Sequence, residues 1–217
     1  MFIGHFALGF GAKRLGPAVS LGTLFLACQL ADLIWPTLVL LGVEHVAIDP
    51  GNTAFTPLNF ISYPYSHSLV GLLIWGALLG GIYVVARRAP LSSAALLAAL
   101  VVSHWVLDFI SHRPDIPLTF GGETKVGLGL WNSVPATIVV ESLMFAVGLY
   151  FYVRTTAARD RIGSIGLWGL VIFFIVINIA NILGPPPPSS TAVAWAAELL
   201  WLVVALAYWV DRHRRIR

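Results

Sequence analysis

The stretch SHWVLDFISH, residues 103–112, places two histidines and an aspartate at the end of a run of Ala, Leu and Val. His104 and Asp108 are spaced i, i+4, so on a helix both side chains lie on one face, about one turn apart, where they can bind one metal ion or two neighbouring ions. His112 lies a further turn outward if the helix continues almost to Pro114. Imidazole and carboxylate groups are ligands for zinc, manganese or iron, so this stretch is a candidate metal site.

Ionisable side chains elsewhere in the apolar parts of the sequence supply further candidate ligands. Asp32 and His67 would complete a set of two histidines and two carboxylates with the pair in SHWVLDFISH, and zinc is the expected ion for hydrolytic chemistry. His5 is another candidate ligand, and Glu141 is a candidate general base or additional ligand. For each of these residues the structural alternative is a buried hydrogen-bonding partner or a helix cap.

The composition around these residues predicts an integral membrane protein. Of the 217 residues, 58% are hydrophobic and 11% are charged, and the mean hydropathy is +0.85, well outside the range of ordinary soluble domains. We expect a single all-α membrane domain over residues 1–217, a polytopic bundle of about six transmembrane helices. The predicted helices are 18–43, 66–86, 90–111, 134–153, 163–183 and 191–210. The apolar segment 2–12 is too short to span, and it is predicted to be a re-entrant or interfacial helix.

The positions of Lys and Arg predict the orientation of this bundle. If the six helices alternate in direction, all of the 13 Lys and Arg residues except Arg113 and Lys125 lie on one side. Such a positive-inside pattern predicts a multi-pass protein of a bacterial-type inner membrane, with its C-terminus in the cytoplasm. Cations spread over helix ends fit lipid headgroups as partners and argue against nucleic acid. The single cysteine, Cys28, excludes an intrachain disulfide and a cysteine-rich zinc site.

The depth of each candidate ligand follows from a rise of about 1.5 Å per residue, counted from the cytoplasmic end of its helix. The residues that come out about 20–30 Å up, in the outer half of the membrane, are Asp32, His67, His104, Asp108 and Glu141. His5 comes out only about 12 Å up, so it reaches the others only if its short segment is displaced outward. Glu44, His45 and Asp49 fall in a predicted outer link, where we expect them to be solvated.

Four sequence elements occur in an order that resembles a known family. MFIGHFALGF resembles the segment with its opening His, and LADLIWP resembles the segment with the Asp that ends its first long helix. YPYSHSL resembles its His-Ser at a helix start, and SHWVLDFISH resembles its SHxxxD element. The family is the bacterial inner-membrane metal-dependent hydrolases (YdjM-like). The resemblance covers about residues 1–112. The metal-binding residues that it implies are His5, Asp32, His67, His104 and Asp108. The chain departs from the Pro-Asp-x-Asp element of that family, since Ala31 replaces the Pro before Asp32 and Ile34 replaces the second Asp. This departure argues against a two-metal site.

These residues support hypotheses of different functional classes. The first is a membrane-embedded metal-dependent hydrolase that activates water against an ester or phosphoester of a lipid-like substrate from the outer leaflet. Glu141 or Asp108 would transfer the proton, Arg113 and Lys125 would bind a phosphate unless they contact lipid headgroups, and His112 would lie at the mouth of the site. The alternative is an ion- or proton-coupled transporter that uses the same His/Asp cluster. A scaffold protein with a structural metal is a third possibility.

Overall fold

The computed structural model describes residues 1–121 and 124–217, and this part of the chain is all-α apart from short two-stranded sheets in the links. The helices are α1 Ile3–Ala12, α2 Leu21–Cys28, α3 Leu30–Leu40, α4 Pro64–His67, α5 Leu69–Arg87, α6 Leu91–Ser111, α7 Val134–Thr155, α8 Arg161–Leu183, α9 Ser190–Glu198 and α10 Leu200–Arg212. The antiparallel strand pairs are β1 His45–Ile48 with β2 Leu58–Ser62, β3 Ile116–Pro117 with β4 Lys125–Val126, and β5 Thr156–Ala158 with β6 Arg214–Ile216.

Within the described residues, five helical segments are long and apolar enough to cross a membrane, namely α5, α6, α7, α8 and the combined segment Ser190–Arg212. The pair α2 and α3 would be a sixth span, bent by 57°. The predicted helix bundle with a short N-terminal helix is therefore confirmed. The continuous helix predicted over 18–43 is wrong, because Gln29 has φ −110° and ψ 8°, outside the helical region, and separates α2 from α3.

Large apolar side chains cover the outside of the long helices. On α8 the exposed residues include Ile165, Ile172 and Val176, and on α5 they include Leu78 and Ile82. A soluble monomer rarely exposes a contiguous apolar surface of this kind, whereas a bilayer solvates it. The exterior of the bundle is thus compatible with a membrane protein.

Small residues bring α5 and α6 close together. Gly76 and Gly80 are four residues apart on α5 and face Ala98 and Ala94 of α6; a Cβ would lie 3.1 Å from the carbonyl oxygen of Ala98 at the first glycine and 2.8 Å from that of Ala94 at the second. This spacing is the small-residue pattern that lets membrane helices approach at backbone distance. The contact fixes the helix that carries His104 and the rest of SHWVLDFISH.

Helix α1 lies inside the bundle and not on its surface. It contacts α2, α6 and α7, and the side chains of Phe6 and Phe10 are fully buried. The backbone carbonyl of Ala7 lies directly against Gly148 of α7, at a point that any side chain on Gly148 would occupy. The glycine is therefore needed for α1 to enter the bundle at this depth.

A buried ion pair holds the far end of α1. Nζ of Lys13 lies 2.9 Å from Oδ2 of Asp211 in α10 and donates a hydrogen bond to the carbonyl oxygen of Val19 at 2.8 Å. The hydroxyl of Tyr152 donates to the other carboxylate oxygen of Asp211 at 3.0 Å. Because Lys13 is only 3% exposed, it is not the surface cation that its place after an apolar segment suggests.

Candidate metal centre

Three helices bring Asp32, His67 and His104 together. Their ligand atoms all lie within 4.8 Å of one another. Nε2 of His67 is 3.4 Å from Oδ1 of Asp32, and Nε2 of His104 is 3.7 Å from Oδ2 of the same carboxylate. The histidine side chains are buried, whereas the side chain of Asp32 is 29% exposed. The cluster is therefore closed on the histidine side and open at Asp32.

Asp108 adds a fourth ligand atom to this group. Its Oδ2 lies 3.2 Å from Nε2 of His104 and 3.8 Å from Nε2 of His67. In a tetrahedral zinc site with bonds of about 2.0–2.2 Å, neighbouring ligand atoms are about 3.3–3.6 Å apart. The four histidine–carboxylate separations, 3.2 to 3.8 Å, bracket that range. Asp32, His67 and His104, with Asp108 beside them, could therefore hold a metal ion.

Hydrogen bonds on the outer edge of the rings determine which nitrogen faces the cluster. Nδ1 of His104 lies 2.9 Å from the carbonyl oxygen of Cys28, which can only accept, so Nδ1 carries the hydrogen. Nδ1 of His67 lies 2.7 Å from Oγ of Ser66, which donates its own hydrogen to Oε2 of Glu44 at 2.6 Å and therefore accepts from the ring. In both histidines Nε2 is left with a lone pair directed at carboxylate oxygens, as in metal-binding histidines.

The contact between Nε2 of His104 and Oδ2 of Asp108 brings two hydrogen-bond acceptors together. Nε2 of His104 is buried without a hydrogen-bond partner among the described residues, and its nearest carboxylate oxygen, on Asp108, is also an acceptor. Two acceptors at 3.2 Å repel each other unless a proton or a metal ion lies between them. The orphaned nitrogen is thus available as a ligand atom of a group that could hold a metal ion.

His5 reaches the same cluster. Its Nε2 lies 3.1 Å from Oδ1 of Asp108, and His5, His104 and Asp108 form a second group whose ligand atoms lie within 4.8 Å of one another. The amino group of Met1 also contacts this end of the site, with its nitrogen 2.8 Å from Oδ1 of Asp108. The sequence-based depth of His5 was too low, because it placed Lys13 at the membrane surface. Lys13 is buried, so the whole of α1 lies further into the bundle.

Glu44 is a residue of the site that sequence reasoning missed. It was expected to be solvated in the outer link, but its side chain is fully buried. Its Oε1 accepts hydrogen bonds from the backbone N–H groups of Tyr65 and Ser66, at 2.8 and 2.9 Å, while Oε2 accepts from the Ser66 hydroxyl. The β1–β2 hairpin turns the link back over the bundle and brings Glu44 to α4. No spacing in the sequence signals this contact.

His112 lies in the wall of the cluster. It is 3% exposed, and its ring centroid is 4.1 Å from that of Trp131. Its Nδ1 donates to Oδ1 of Asp115 at 3.0 Å, and the hydroxyl of Tyr63 donates to the same oxygen at 3.0 Å. Burial lowers the pKa of His112 and raises the pKa of Tyr63, which favours the neutral imidazole and the protonated phenol. Nε2 of His112 therefore presents a lone pair, 3.9 Å from Oδ1 of Asp108.

Glu141 lies beside the cluster, outside both groups of ligand atoms. Its Oε2 accepts hydrogen bonds from the backbone N–H groups of Phe2 and Gly4, at 3.0 and 3.2 Å, and thereby satisfies free donors at the start of α1. Its Oε1 is buried without a hydrogen-bond partner in the part of the chain that the structure describes. The contacts make Glu141 an anchor for α1, and its catalytic role stays a prediction.

Arg113 and Lys125, the two cations predicted to lie on the outer face, are both held by neighbouring residues. The guanidinium of Arg113 contacts Oδ2 of Asp115 at 3.2 Å and Oδ1 of Asn59 at 2.7 Å. Nζ of Lys125 donates to the carbonyl oxygen of Ile61 at 3.0 Å and lines a pocket of about 210 Å³ beside β3. Arg113 is thus connected to the cluster through Asp115, whereas Lys125 lies on the pocket. Their role in binding substrate stays a prediction.

Comparison of the chain with protein-family models, with curated proteins and with solved structures gives no match. Membership of the hydrolase family that the four sequence elements resemble therefore stays a prediction. What the geometry establishes by itself is a bundle of apolar helices with a buried His/Asp cluster that could hold a metal ion.

Proposed function

We propose that this protein is a membrane-embedded metal-dependent hydrolase that cleaves an ester or phosphoester of a lipid-like substrate, reached from the outer leaflet. The observation that carries the proposal is the convergence of Asp32, His67, His104 and Asp108 from three helices, with histidine–carboxylate separations of 3.2 to 3.8 Å inside an apolar bundle. Carboxylates and histidines are costly in such an interior unless they serve a site. The order of the four family-like sequence elements supports the same conclusion.

The side chains of the cluster have different tasks in this proposal. A divalent ion held by Asp32, His67, His104 and Asp108 would lower the pKa of a coordinated water and polarise the bond under attack. His67 and His104 are held in one tautomer by Ser66 and by the carbonyl of Cys28, so their lone pairs are aimed before an ion arrives. Asp32, with its side chain 29% exposed, faces the opening, where water and substrate reach the cluster and where a proton can leave.

The packing below the cluster favours a one-sided pocket over a transport path. A transporter needs polar groups that continue across the membrane. Between His5 and Lys13 on α1, however, lie the buried rings of Phe6 and Phe10. The rings packed around them belong to Phe25, Phe145 and Phe174. This aromatic layer separates the His/Asp cluster from the ion pair of Lys13, which supports hydrolysis over ion transport.

Entry of the substrate from the outer side is inferred from the distribution of Lys and Arg along the chain and from the position of Arg113. With the other cations predicted on the cytoplasmic side, the helix ends that carry the cluster face outward. The side chain of Arg113 is 39% exposed while it contacts Asp115, and a guanidinium is well suited to a phosphate group. The cation therefore lies where it can attract the headgroup of a phosphoester substrate. Zinc is the expected ion, given two imidazole and two carboxylate ligands.

Metal content and hydrolysis measured together test the proposal. Protein purified in detergent should bind a divalent ion, and the variants His104→Ala and Asp108→Asn should lose most of it together with any release of product from lipid esters and phospholipids. The matched control is Glu198→Gln, a carboxylate that accepts a hydrogen bond from Thr37 away from the cluster. Wild-type protein that binds no transition metal after loading, or that keeps its metal in both cluster variants, would refute the proposal.

A further inference from the structure

The two carboxylate oxygens of Asp108 face different sets of partners. Oδ2 lies 3.2 Å from Nε2 of His104 and 3.8 Å from Nε2 of His67, on the side of the four-ligand group. Oδ1 lies 3.1 Å from Nε2 of His5 and 3.9 Å from Nε2 of His112. A carboxylate whose two oxygens each meet a separate pair of imidazoles has the form of a bridge between two binding positions.

The two ring nitrogens nearest Oδ1 of Asp108, Nε2 of His5 and Nε2 of His112, both present lone pairs. Nδ1 of His112 donates to Asp115, which leaves Nε2 unprotonated and directed toward Asp108. Nε2 of His5 lies 3.1 Å from the amino nitrogen of Met1, an ammonium donor, so this nitrogen accepts and Nδ1 carries the hydrogen. The hydrogen on Nδ1 of His5 has no acceptor among the described residues. Nε2 of His5 and Nε2 of His112 therefore both face Oδ1 of Asp108, at 3.1 and 3.9 Å.

A positively charged group already contacts these acceptors. The amino nitrogen of Met1 lies 2.8 Å from Oδ1 of Asp108 and 3.1 Å from Nε2 of His5. The acceptor side chains are all buried: His5 is 1% exposed, Asp108 2% and His112 3%. Acceptors that converge on an ammonium group in a buried site are equally able to converge on a metal cation, since both compensate the same buried negative charge.

We propose that Asp108 bridges two metal positions, the second of which is formed by Oδ1 of Asp108 with Nε2 of His5 and Nε2 of His112. The inference rests on the proposed function, because the first position is the metal centre described above. A divalent ion held by these residues would take the place of the amino group of Met1, which lies 2.8 Å from Oδ1 of Asp108. His112 is then a ligand and not a residue at the mouth, and Asp115 is the group that fixes its tautomer.

A second ion narrows the substrate class. Sites with two neighbouring metal ions stabilise both the attacking and the leaving oxygen in displacement at phosphorus. The exposed guanidinium of Arg113, which contacts Asp115, lies next to the second position and suits the same chemistry. The structure therefore assigns a phosphoester, in preference to a carboxylic ester, as the substrate. The sequence argued against two metals because the second Asp of Pro-Asp-x-Asp is missing, but His5 and His112 supply the ligands instead.

Metal stoichiometry tests this inference separately from activity. Protein loaded with Mn²⁺ in detergent should hold about two ions per chain and show the magnetic coupling of a carboxylate-bridged pair by electron paramagnetic resonance. His112→Gln should hold about one ion and show an uncoupled Mn²⁺ signal, because the four-ligand group remains. The control His45→Gln, an exposed histidine of β1, should keep both ions.

The possible outcomes distinguish the two proposals. One ion in wild-type protein, unchanged in His112→Gln, overturns the second position and leaves the proposed hydrolase intact. No ion in wild-type protein overturns both. If His112→Gln does not fold, Asp115→Asn serves as a second variant, with the second binding step expected to weaken about 10–100-fold and the first to stay unchanged. If Asp115→Asn weakened both metal-binding steps equally, or left both unchanged, the inference would be contradicted.

Discussion

The imidazole rings of His5 and His104 stack with their centroids 3.7 Å apart and their planes 3° from parallel. One ring comes from α1 and the other from α6, so the contact exists only because α1 lies inside the bundle. The candidate metal centre thus depends on the position of a helix too short to cross a membrane. The residues that hold α1 in place are accordingly as testable as the ligands themselves.

Gly148→Val should displace α1 and weaken the metal centre. Any side chain at this position meets the backbone carbonyl of Ala7, which cannot move without shifting α1. Overpacking of this kind costs about 1–3 kcal/mol of stability, and His5 should leave the cluster. Thermal unfolding and metal content of the purified protein provide the measurements. Gly169→Val is the matched control, because a Cβ at Gly169 meets nothing within 4 Å; equal behaviour of the two variants would show that α1 does not need the glycine.

Glu44→Gln should weaken metal binding although Glu44 lies outside both groups of candidate ligands. The substitution replaces the carboxylate that accepts from Ser66 and thereby loosens the orientation of His67. Loss of such an outer partner weakens metal affinity about 10–100-fold. Titration of the metal-free protein with Zn²⁺ against a competing chelator measures this affinity. Asp49→Asn, an exposed carboxylate of the same link, should bind as tightly as wild type. An unchanged affinity in Glu44→Gln would mean that Glu44 only caps α4.

Asp211→Asn should destabilise the bundle and leave the metal ligands in place. The substitution leaves the ammonium of Lys13 buried without its counter-ion, and breaking a buried pair in this way costs about 3–5 kcal/mol. The double variant Lys13→Met/Asp211→Asn should recover part of this loss, because no unpaired charge remains. Denaturant unfolding in detergent gives the stability, and metal content should stay at the wild-type level. A stability within error of wild type would show that the pair is not needed to anchor α1.

Cysteine labelling should place the C-terminus and the β1–β2 link on opposite sides of the membrane. Cys28 is the single cysteine and is buried, so the wild-type background is silent toward an impermeant thiol reagent. In intact bacterial cells Ala54→Cys should react and Arg215→Cys should not, while both should react after the membrane is opened. Both positions are exposed. The reverse pattern in intact cells would overturn the orientation predicted from the positive-inside rule.

The helical fold and most members of the His/Asp cluster could be predicted from the sequence because their signals are local. Runs of apolar residues predict spanning helices, and the i, i+4 spacing puts His104 and Asp108 on one face. Asp32 and His67 could also be picked out from the sequence, because ionisable side chains are costly in an apolar segment and are therefore rare there. Glu44 and Asp115 gave no such signal, because each lies in a polar link where a carboxylate costs nothing until the link folds back over the bundle.

By itself, the sequence determined that this chain is an all-α bundle with apolar helices and that His5, Asp32, His67, His104 and Asp108 are the residues to examine. Only the tertiary structure decided that Oδ1 and Oδ2 of Asp108 face different histidines. Hydropathy and helical periodicity describe one helix at a time, and they fix neither the depth of a neighbouring helix nor the ring nitrogen that faces it. Those depend on contacts between distant segments, such as Ala7 against Gly148 and Ser66 against Glu44.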